Sequence, residues 1–360
     1  MRYLFSLSCI LLALSFSLPL LAAPETKPAI AATIETTLTT KGEHIRQFAF
    51  DGEDKTYFAS DKNATQEDHF TLVLDKPVAI RSLLVRTGRP DGDDKLDAGS
   101  LQVSEDGKSF EEIAKFIGGT AEAKLKGRKI QVIRIKPAQD LKYPLAIREI
   151  VVDSDPAVVV FKYPVEFIVD VREAPEMKEW ADKVARVCER QYAMINEELR
   201  EDRYLPPNRV PMRLKVMNGV AYTSGVQITG SVAFFKQHPN DIGAMVHETV
   251  HVVQNYRVPD NPGWLVEGIA DYIRFFKYEP GKLGRISPRR ARYDGSYRVT
   301  AAFLAYLTEK YDKQIVRKLN KLMRDGEYKK EVFQKLTGKT LEELGEEWRA
   351  TLGDSAKSNQ

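Results

Sequence analysis

Cysteine is scarce in this chain, which has only Cys9 and Cys188 among its 360 residues. Cys9 lies in an apolar N-terminal segment that is expected to be removed, so one cysteine remains and no intramolecular disulfide can form. Cys188 belongs to an amphipathic helical pattern from Trp180 to Tyr192, where it is expected to be a small buried hydrophobe. A chain of this length can bury a sufficient core without disulfides.

Long apolar runs are missing after the N-terminus, which excludes a membrane span of about 18 consecutive apolar residues. The first residues instead predict a secretory signal. Arg2 gives the positive start, Leu4–Leu21 the apolar core and Ala22-Ala23 the small residues for cleavage. We predict cleavage after Ala22, which indicates a secreted or periplasmic protein.

A strong excess of one charge is also missing. The net charge of +3 is too small to indicate binding to nucleic acid or to an anionic membrane. The cationic runs at 285–292 and 317–324 are interpreted as solvated faces. Hydrophobic content of 43% and charged content of 29% are typical of soluble globular proteins.

The motif with the clearest chemistry is His247-Glu248-Thr249-Val250-His251. It lies in a run without proline whose apolar residues have helical spacing, so His247 and His251 are expected on one face. Two neutral imidazoles on one metal ion, with Glu248 beside the metal-bound water, form the H-E-x-x-H arrangement of metallopeptidases. The alternative is an ordinary core helix whose two histidines have hydrogen-bond partners and bind no metal.

A second segment favours the metal site over that alternative. Glu267 and Asp271 are also four residues apart on a predicted helix, among otherwise apolar neighbours. Carboxylates are rarely buried without a partner. We interpret Glu267 as a third zinc ligand and Asp271 as the carboxylate that orients a ligand histidine.

With these residues in view, the chain resembles a known family. HETVH followed by Trp264-Leu-Val-Glu-Gly-Ile-Ala-Asp-Tyr-Ile-Arg274 is similar to the glutamate-zincin superfamily, in which such a glutamate is the third ligand. More narrowly, it resembles the basic secretory protein family, peptidases of plants and bacteria. Residues 219–228 and 297–304 add to the resemblance, which covers about 161–352.

The resemblance implies one catalytic Zn²⁺ and a protein or peptide substrate. Relatives hold the substrate backbone on an edge strand just before the metal helix, and the corresponding residues here are Val220, Ala221 and Tyr222. Relatives also use a Tyr or His as donor to the developing oxyanion. Tyr297 is the first candidate and Tyr293 its rival. The alternative for Val220, Ala221 and Tyr222 is an ordinary hairpin of the core sheet. The alternative for Tyr297 is a packed or surface tyrosine without a role in catalysis.

Residues 42–153 show short alternating apolar patterns separated by Asp-Gly and Gly-Gly turns, which predict an all-β sandwich. Predicted strands include 70–74, 80–86, 100–104, 130–135 and 146–152. Pieces such as Phe50-Asp-Gly52, Val103-Ser-Glu-Asp-Gly107 and Ile147-Arg-Glu-Ile150 resemble the discoidin, or galactose-binding-like, family.

That second resemblance implies two ligands for the sandwich. A structural Ca²⁺ would use the oxygen groups of Asp51, Asp54, Thr56 and Glu149. The alternative is ordinary turn chemistry that needs no metal. A glycan or cell-surface ligand at the loop tips is the other implication, although the exposed aromatics of a sugar platform are not obvious.

The predicted fold class is therefore a multidomain protein. An N-terminal all-β sandwich of the jelly-roll, galactose-binding-like type precedes an α+β zincin-like metallopeptidase domain. The predicted divisions are a signal peptide (1–22), a linker or poorly ordered entry strand (23–40), the sandwich (41–154), the peptidase domain (155–353) and a disordered tail (354–360).

Two functions of different class fit these patterns. The first is a secreted zinc metallopeptidase in which Glu248 is the general base for a zinc-activated water. The second is a surface or glycan-binding adhesion protein whose zincin half is inactive. Another zinc-dependent hydrolysis, such as deamidation, is a third interpretation.

Overall fold

The computed structural model of the protein describes residues 29–295 and 297–357. The predicted signal peptide and its cleavage site after Ala22 lie outside these residues. Within the described ranges, every helix is too short or too polar to cross a membrane.

The N-terminal half is an antiparallel β-sandwich, as predicted. Strands β3 and β6 are long and irregular between Val73 and Val78, which lets the sheet fold over its own core. Alternating side chains such as Leu72 and Leu83 are fully buried there. The strands follow the order β2-β7-β3-β6-β4-β5, with β1 added to β3. Their bounds are β1 (Ala32–Thr36), β2 (Phe58–Asn63), β3 (Phe70–Thr87), β4 (Gly99–Ser104), β5 (Glu111–Lys115), β6 (Thr120–Pro137) and β7 (Pro144–Asp155).

Of the two interpretations of 23–40, the entry strand is right for Ala32–Thr36, which form β1 and pair with β3. Ala32 and Ile34 are buried in the sandwich core while Glu35 points outward. This alternation lasts only five residues within an Ala- and Thr-rich composition, so the pattern alone does not separate a strand from a linker.

The second half has the predicted α+β architecture. Its sheet has the order β10-β11-β9-β8, in which β8, β9 and β11 are parallel and β10 is an antiparallel edge strand. The strands are β8 (Glu166–Asp170), β9 (Arg209–Lys215), β10 (Ala221–Ser224) and β11 (Gln227–Ser231). The helices are α1 (Lys178–Glu198), α2 (Val232–Gln237), α3 (Gly243–Gln254), α4 (Gly263–Ile273), α5 (Tyr297–Lys310), α6 (Ile315–Asp325), α7 (Val332–Thr337) and α8 (Leu341–Lys357).

Two predicted ends of this half differ from the structure. Helix α8 reaches Lys357, so the tail predicted as disordered is helical at 354–357, while 358–360 lie outside the described residues. The apolar pattern at Val158–Val171 predicts a strand of the second half, but Val158 pairs with Ile30 and packs into the sandwich core. The division at 154/155 stays a prediction.

The two halves are joined by a buried ionic cluster around Arg46. The Arg46 guanidinium contacts the carboxylates of Glu166 on β8 at 3.2 Å and Glu189 on α1 at 2.5 Å. All three side chains are at most 12% exposed. Thr40 donates a hydrogen bond to Glu166, and the side chain of Gln47 accepts one from the backbone of Val165. Because Glu166 and Glu189 belong to the second half, its sheet and first helix depend on a cation from the sandwich.

Replacing Arg46 with alanine should destabilise the protein by about 3 kcal/mol, because it leaves the buried carboxylate of Glu166 without its counter-ion, whereas Glu189 keeps Arg186 at 2.8 Å. Urea unfolding of the full chain measures this change. The matched control is Arg81→Ala, which removes an exposed ion pair with Asp153 and should leave the midpoint unchanged. Equal midpoints for the Arg46 variant and the wild type would show that the cluster does not hold the halves together.

Candidate metal centre

Helix α3 carries the HETVH motif through the middle of the second half. Within it, His251 alone is not fully buried, because it borders a cleft. The helix ends at Asn255, which adopts a left-handed conformation with φ of 41°, and its N–H donates to the carbonyl of His251. The burial of the whole helix fixes the two histidines in position.

Three lone pairs converge at one point beside α3. The Nε2 atoms of His247 and His251 lie 3.1 Å apart, and each lies 3.1 Å from Oε2 of Glu267 on α4. Among the described residues, this trio alone forms a group of three or more His, Cys, Asp or Glu side chains able to hold a metal ion. The structure therefore brings together the three residues predicted as ligands.

The other nitrogen of each imidazole is already engaged. Nδ1 of His247 contacts Oδ1 of Asp271 at 2.7 Å, and Nδ1 of His251 contacts Oε1 of Gln254 at 2.7 Å. A carboxylate and an amide oxygen can only accept, so both Nδ1 atoms carry the proton. In the neutral imidazoles both Nε2 atoms are then acceptors, which face each other and Glu267 with no donor between them.

The shifted pKa values of His247 and Glu267 show that a positive charge among the three groups of the trio is favourable. Burial disfavours the charged form of His247, but hydrogen bonds to Asp271 and Glu267 outweigh it and raise the pKa of His247 to about 9. Burial likewise opposes ionisation of Glu267, yet hydrogen bonds from the two histidines lower its pKa to about 2. A divalent cation bound between the three groups would supply the same positive charge. The 3.1 Å separations are close to the ~3.3 Å between ligands of a tetrahedral ion with bonds of about 2.0–2.1 Å.

Gly268 explains how α4 brings Glu267 to this point. A Cβ atom at position 268 would lie 2.1 Å from Cγ2 of Thr300 on α5. Only glycine lets the two helices approach this closely, and Thr300 in turn donates a hydrogen bond to the carbonyl of Tyr293.

Glu248 lies on α3 beside the trio and takes no part in it. Its carboxylate is buried, and its Oε2 accepts a hydrogen bond of 2.7 Å from Oγ1 of Thr223 on β10. This contact ties the edge strand to the carboxylate and restricts its orientation. The sequence patterns did not identify Thr223 or Gln254, since both act through contacts made in the folded chain.

The trio opens into a cleft of about 1390 Å³. We call it the central cleft. It is bordered by β10, α3, α4, the start of α5 and the loop between α4 and α5. Its lining includes Val220, Ala221, Tyr222, Thr223, His247, Glu248, His251, Glu267, Asp271, Leu283, Arg285, Ile286, Arg289, Arg290 and Tyr297.

The three residues predicted to hold substrate are on this lining. Val220 and Tyr222 are 38% and 49% exposed, and Ala221 opens the edge strand β10. Among the described strands β10 pairs only with β11, so its other edge has backbone groups available for an extended chain.

The structure separates the two tyrosine candidates. The Tyr297 ring lies 5.9 Å from the His247 ring and is half exposed in the central cleft. The charge of Glu267, reinforced by burial, raises the pKa of Tyr297, which keeps its hydroxyl a donor. Tyr293 instead packs on Trp264 and Phe303, away from the cleft lining.

The four residues predicted to bind calcium do not all face one point. Burial, reinforced by the charge of Asp51, raises the pKa of Glu149 to about 7, and its Oε2 atom is buried without a hydrogen-bond partner. The Asp51 carboxylate accepts hydrogen bonds from Thr56. Asp54 is turned away from this pair and bonds with Arg86 at 3.0 Å.

The site and the α+β fold around it have the characteristics of a peptidase-like domain. A family profile described as "Peptidase of plants and bacteria" matches residues 169–348. The chain belongs to this family. The match contains all of the residues described above for the trio and the central cleft.

Solved structures are similar over about a third of the chain. CBM32-1 from a family 31 glycoside hydrolase of Clostridium perfringens is 20% identical with a TM-score of 0.30, covering 34% of this chain and 92% of that one. Chitosan-binding module 2 from a chitosanase/glucanase of Paenibacillus sp. IK-5 is 19% identical with a TM-score of 0.29, covering 33% and 93%. No curated protein matches the chain.

Substitutions around the trio should lower metal affinity in a graded way. Glu267→Ala removes a ligand and should abolish tight zinc binding, whereas Asp271→Asn and Gln254→Ala should weaken it about 10–100-fold, as is usual for groups that orient ligand histidines. Zinc titration against a competing chelator measures these affinities. The control is His238→Ala, since His238 is exposed and lies outside the trio. Tight binding that survives in Glu267→Ala would contradict the ligand set.

Proposed function

We propose that the protein is a zinc metallopeptidase that is exported from the cytoplasm and hydrolyses peptide bonds. The observation that carries this proposal is the convergence of His247, His251 and Glu267 beside the separate carboxylate of Glu248, in a cleft bordered by an edge strand. Membership of a peptidase family supports it.

Zinc fits the donor set better than magnesium or calcium does. Two imidazole nitrogens and one carboxylate oxygen are a usual combination for catalytic zinc, which keeps a fourth position open. Magnesium and calcium prefer all-oxygen sets. When bound, zinc supplies a Lewis acid and lowers the pKa of water toward neutrality.

Glu248 is proposed as the general base. It accepts a proton from the attacking water and passes it to the leaving amine. The hydrogen bond from Thr223 holds the carboxylate in one orientation while leaving its Oε1 atom available. Asp271 and Gln254 keep the two ligand imidazoles in the tautomer that presents Nε2.

Tyr297 is proposed as the protein donor to the oxyanion that develops on the substrate carbonyl. Its position over His247 and its exposure in the cleft support this role. Val220, Ala221 and Tyr222 are proposed to hold the substrate backbone along the free edge of β10.

Export rests on the predicted signal at 1–22, whose residues the structure does not describe. A glycan ligand of the sandwich, an adhesion protein with an inactive zincin half and deamidation remain alternatives. The complete set of metal and base residues favours an active peptidase, because these are the groups that an inactive relative is expected to lose.

The decisive substitution is Glu248→Gln, which keeps the size of the side chain but cannot accept a proton. It should lower kcat/KM by at least about 100-fold, in line with the usual contribution of general acid–base catalysis. Zinc content should remain close to that of the wild type, because Glu248 is not one of the three ligands. Cleavage of a quenched fluorescent peptide together with zinc analysis measures both quantities.

The control for this substitution is Glu309→Gln on α5, which changes an exposed carboxylate outside the central cleft and should leave kcat/KM unchanged. If Glu248→Gln cleaves at the wild-type rate with zinc bound, Glu248 is not the base. If the variant loses zinc as well, the separation between ligands and base proposed for α3 is wrong.

For the sandwich we propose a structural calcium ion at Glu149 and Asp51. The support is the buried, unpartnered Oε2 of Glu149, which a hard cation would satisfy. The orientation of Asp54 toward Arg86 removes it from the proposed ligands.

Calcium should therefore stabilise the zinc-loaded protein against heat, by about 2.7 kcal/mol at a concentration 100 times its Kd. Calorimetry with and without calcium checks this. Glu149→Gln should abolish the effect, while the exposed Glu112→Gln on β5 should keep it. An unfolding curve that calcium does not move would leave turn chemistry as the explanation.

A further inference from the structure

The loop between α4 and α5 carries charges that the proposed chemistry does not use. Arg285, Arg289 and Arg290 are exposed and line the central cleft. Within the described part of the chain, the side chains of these three arginines form no hydrogen bond or ion pair, whereas Arg292 of the same loop pairs with Asp294. The arginines of this run are exposed, as predicted for a solvated face, and three of them also line the cleft.

Most other charges of the cleft are already matched, and Arg298 on α5, which also lines it, lies over the ring of Phe275 at 4.8 Å. Glu267 and Asp271 contact the two histidines, and Glu248 accepts from Thr223. Arg274, which also lines the cleft, pairs with Asp241 and Glu279. The three loop arginines therefore leave the cleft with unmatched positive charge beside the proposed catalytic groups.

We propose that these three arginines are specificity determinants that select peptides with Asp or Glu side chains close to the cleaved bond. This inference rests on the proposed peptidase function and adds a substrate class to it. A guanidinium is always charged and matches a carboxylate with two parallel hydrogen bonds. Since the arginines have no internal partner, an acidic side chain would not need to displace one.

A peptide is favoured over an acidic polysaccharide by the border of the cleft. The free edge of β10 offers backbone donors and acceptors at the spacing of another extended polypeptide. A sugar chain would meet the positive charge but could not continue the sheet. Attraction by three cations also raises the local concentration of acidic substrates, and this effect weakens as salt is added.

The test compares internally quenched peptides with blocked termini that differ only in Glu or Gln residues flanking one cleavage site. The wild type should cleave the acidic peptide with kcat/KM roughly tenfold higher, the sum expected from several exposed ion pairs. This ratio should fall toward one when Arg285, Arg289 and Arg290 are all replaced with glutamine, and also in high salt. The corresponding triple lysine variant should keep much of the ratio, because the charge is retained.

The matched control is Arg292→Gln, which removes one arginine from the same loop outside the cleft lining and should keep the wild-type ratio. A binding measurement that does not need turnover uses the Glu248→Gln protein and the same peptides carrying a fluorophore. Its affinity should favour the acidic peptide, and adding the triple glutamine change should remove that preference.

The outcomes separate this inference from the proposed function. Equal cleavage of acidic and neutral peptides by the wild type overturns the inference and leaves the peptidase standing. Failure to cleave any peptide, with polygalacturonate bound more tightly than the acidic peptide, overturns both. A preference seen only for neutral peptides with a free C-terminal carboxylate also contradicts it, since the arginines would then recognise the chain end.

Discussion

Three lone pairs directed at one point at the base of the central cleft are the constraint on which the second half of this protein depends. Two imidazole nitrogens and a carboxylate oxygen at 3.1 Å from one another repel unless a cation lies between them. The arrangement persists because the Nδ1 atom of each histidine forms a hydrogen bond, His247 with Asp271 and His251 with Gln254. Without these two partners the imidazoles could rotate and the point of convergence would be lost.

The surrounding fold holds this geometry from several sides. Helix α3 is buried along nearly its whole length, and α4 reaches it through the close contact that Gly268 allows with α5. Helix α1 packs on α3 and is itself linked to the sandwich through Glu189 and Arg46. The sandwich is therefore physically connected to the elements that support the candidate metal centre.

Much of the centre could be predicted because its residues are local in sequence. Residues four apart share a helical face, so HETVH and the pair Glu267 and Asp271 were recognisable without a structure. Thr223 and Gln254 were missed because a threonine on a strand and a glutamine after a helix motif acquire their roles only through contacts between elements. The same reason explains the loop arginines, whose sequence reads as a solvated run until the loop is seen to border the cleft.

The secondary structure was likewise predictable where its pattern is local in sequence, and not where it depends on distant contacts. Strands with clear alternation are predictable, whereas the small residues of Ala32–Thr36 fit a linker as well as an entry strand. Val158 is assigned to the wrong half because its partner Ile30 is distant in the chain. The edge position of β10 depends on the pairing of all four strands, which sequence alone does not supply.

The central claim is that the trio binds a metal on which peptide cleavage depends. The most direct measurement is the metal content of the purified protein, combined with casein cleavage before and after chelation. The account predicts one zinc ion per chain, loss of cleavage when it is removed, and recovery with about one equivalent of zinc. Casein cleavage that continues in protein freed of metal, or zinc-loaded protein that cleaves no peptide bond, would contradict it.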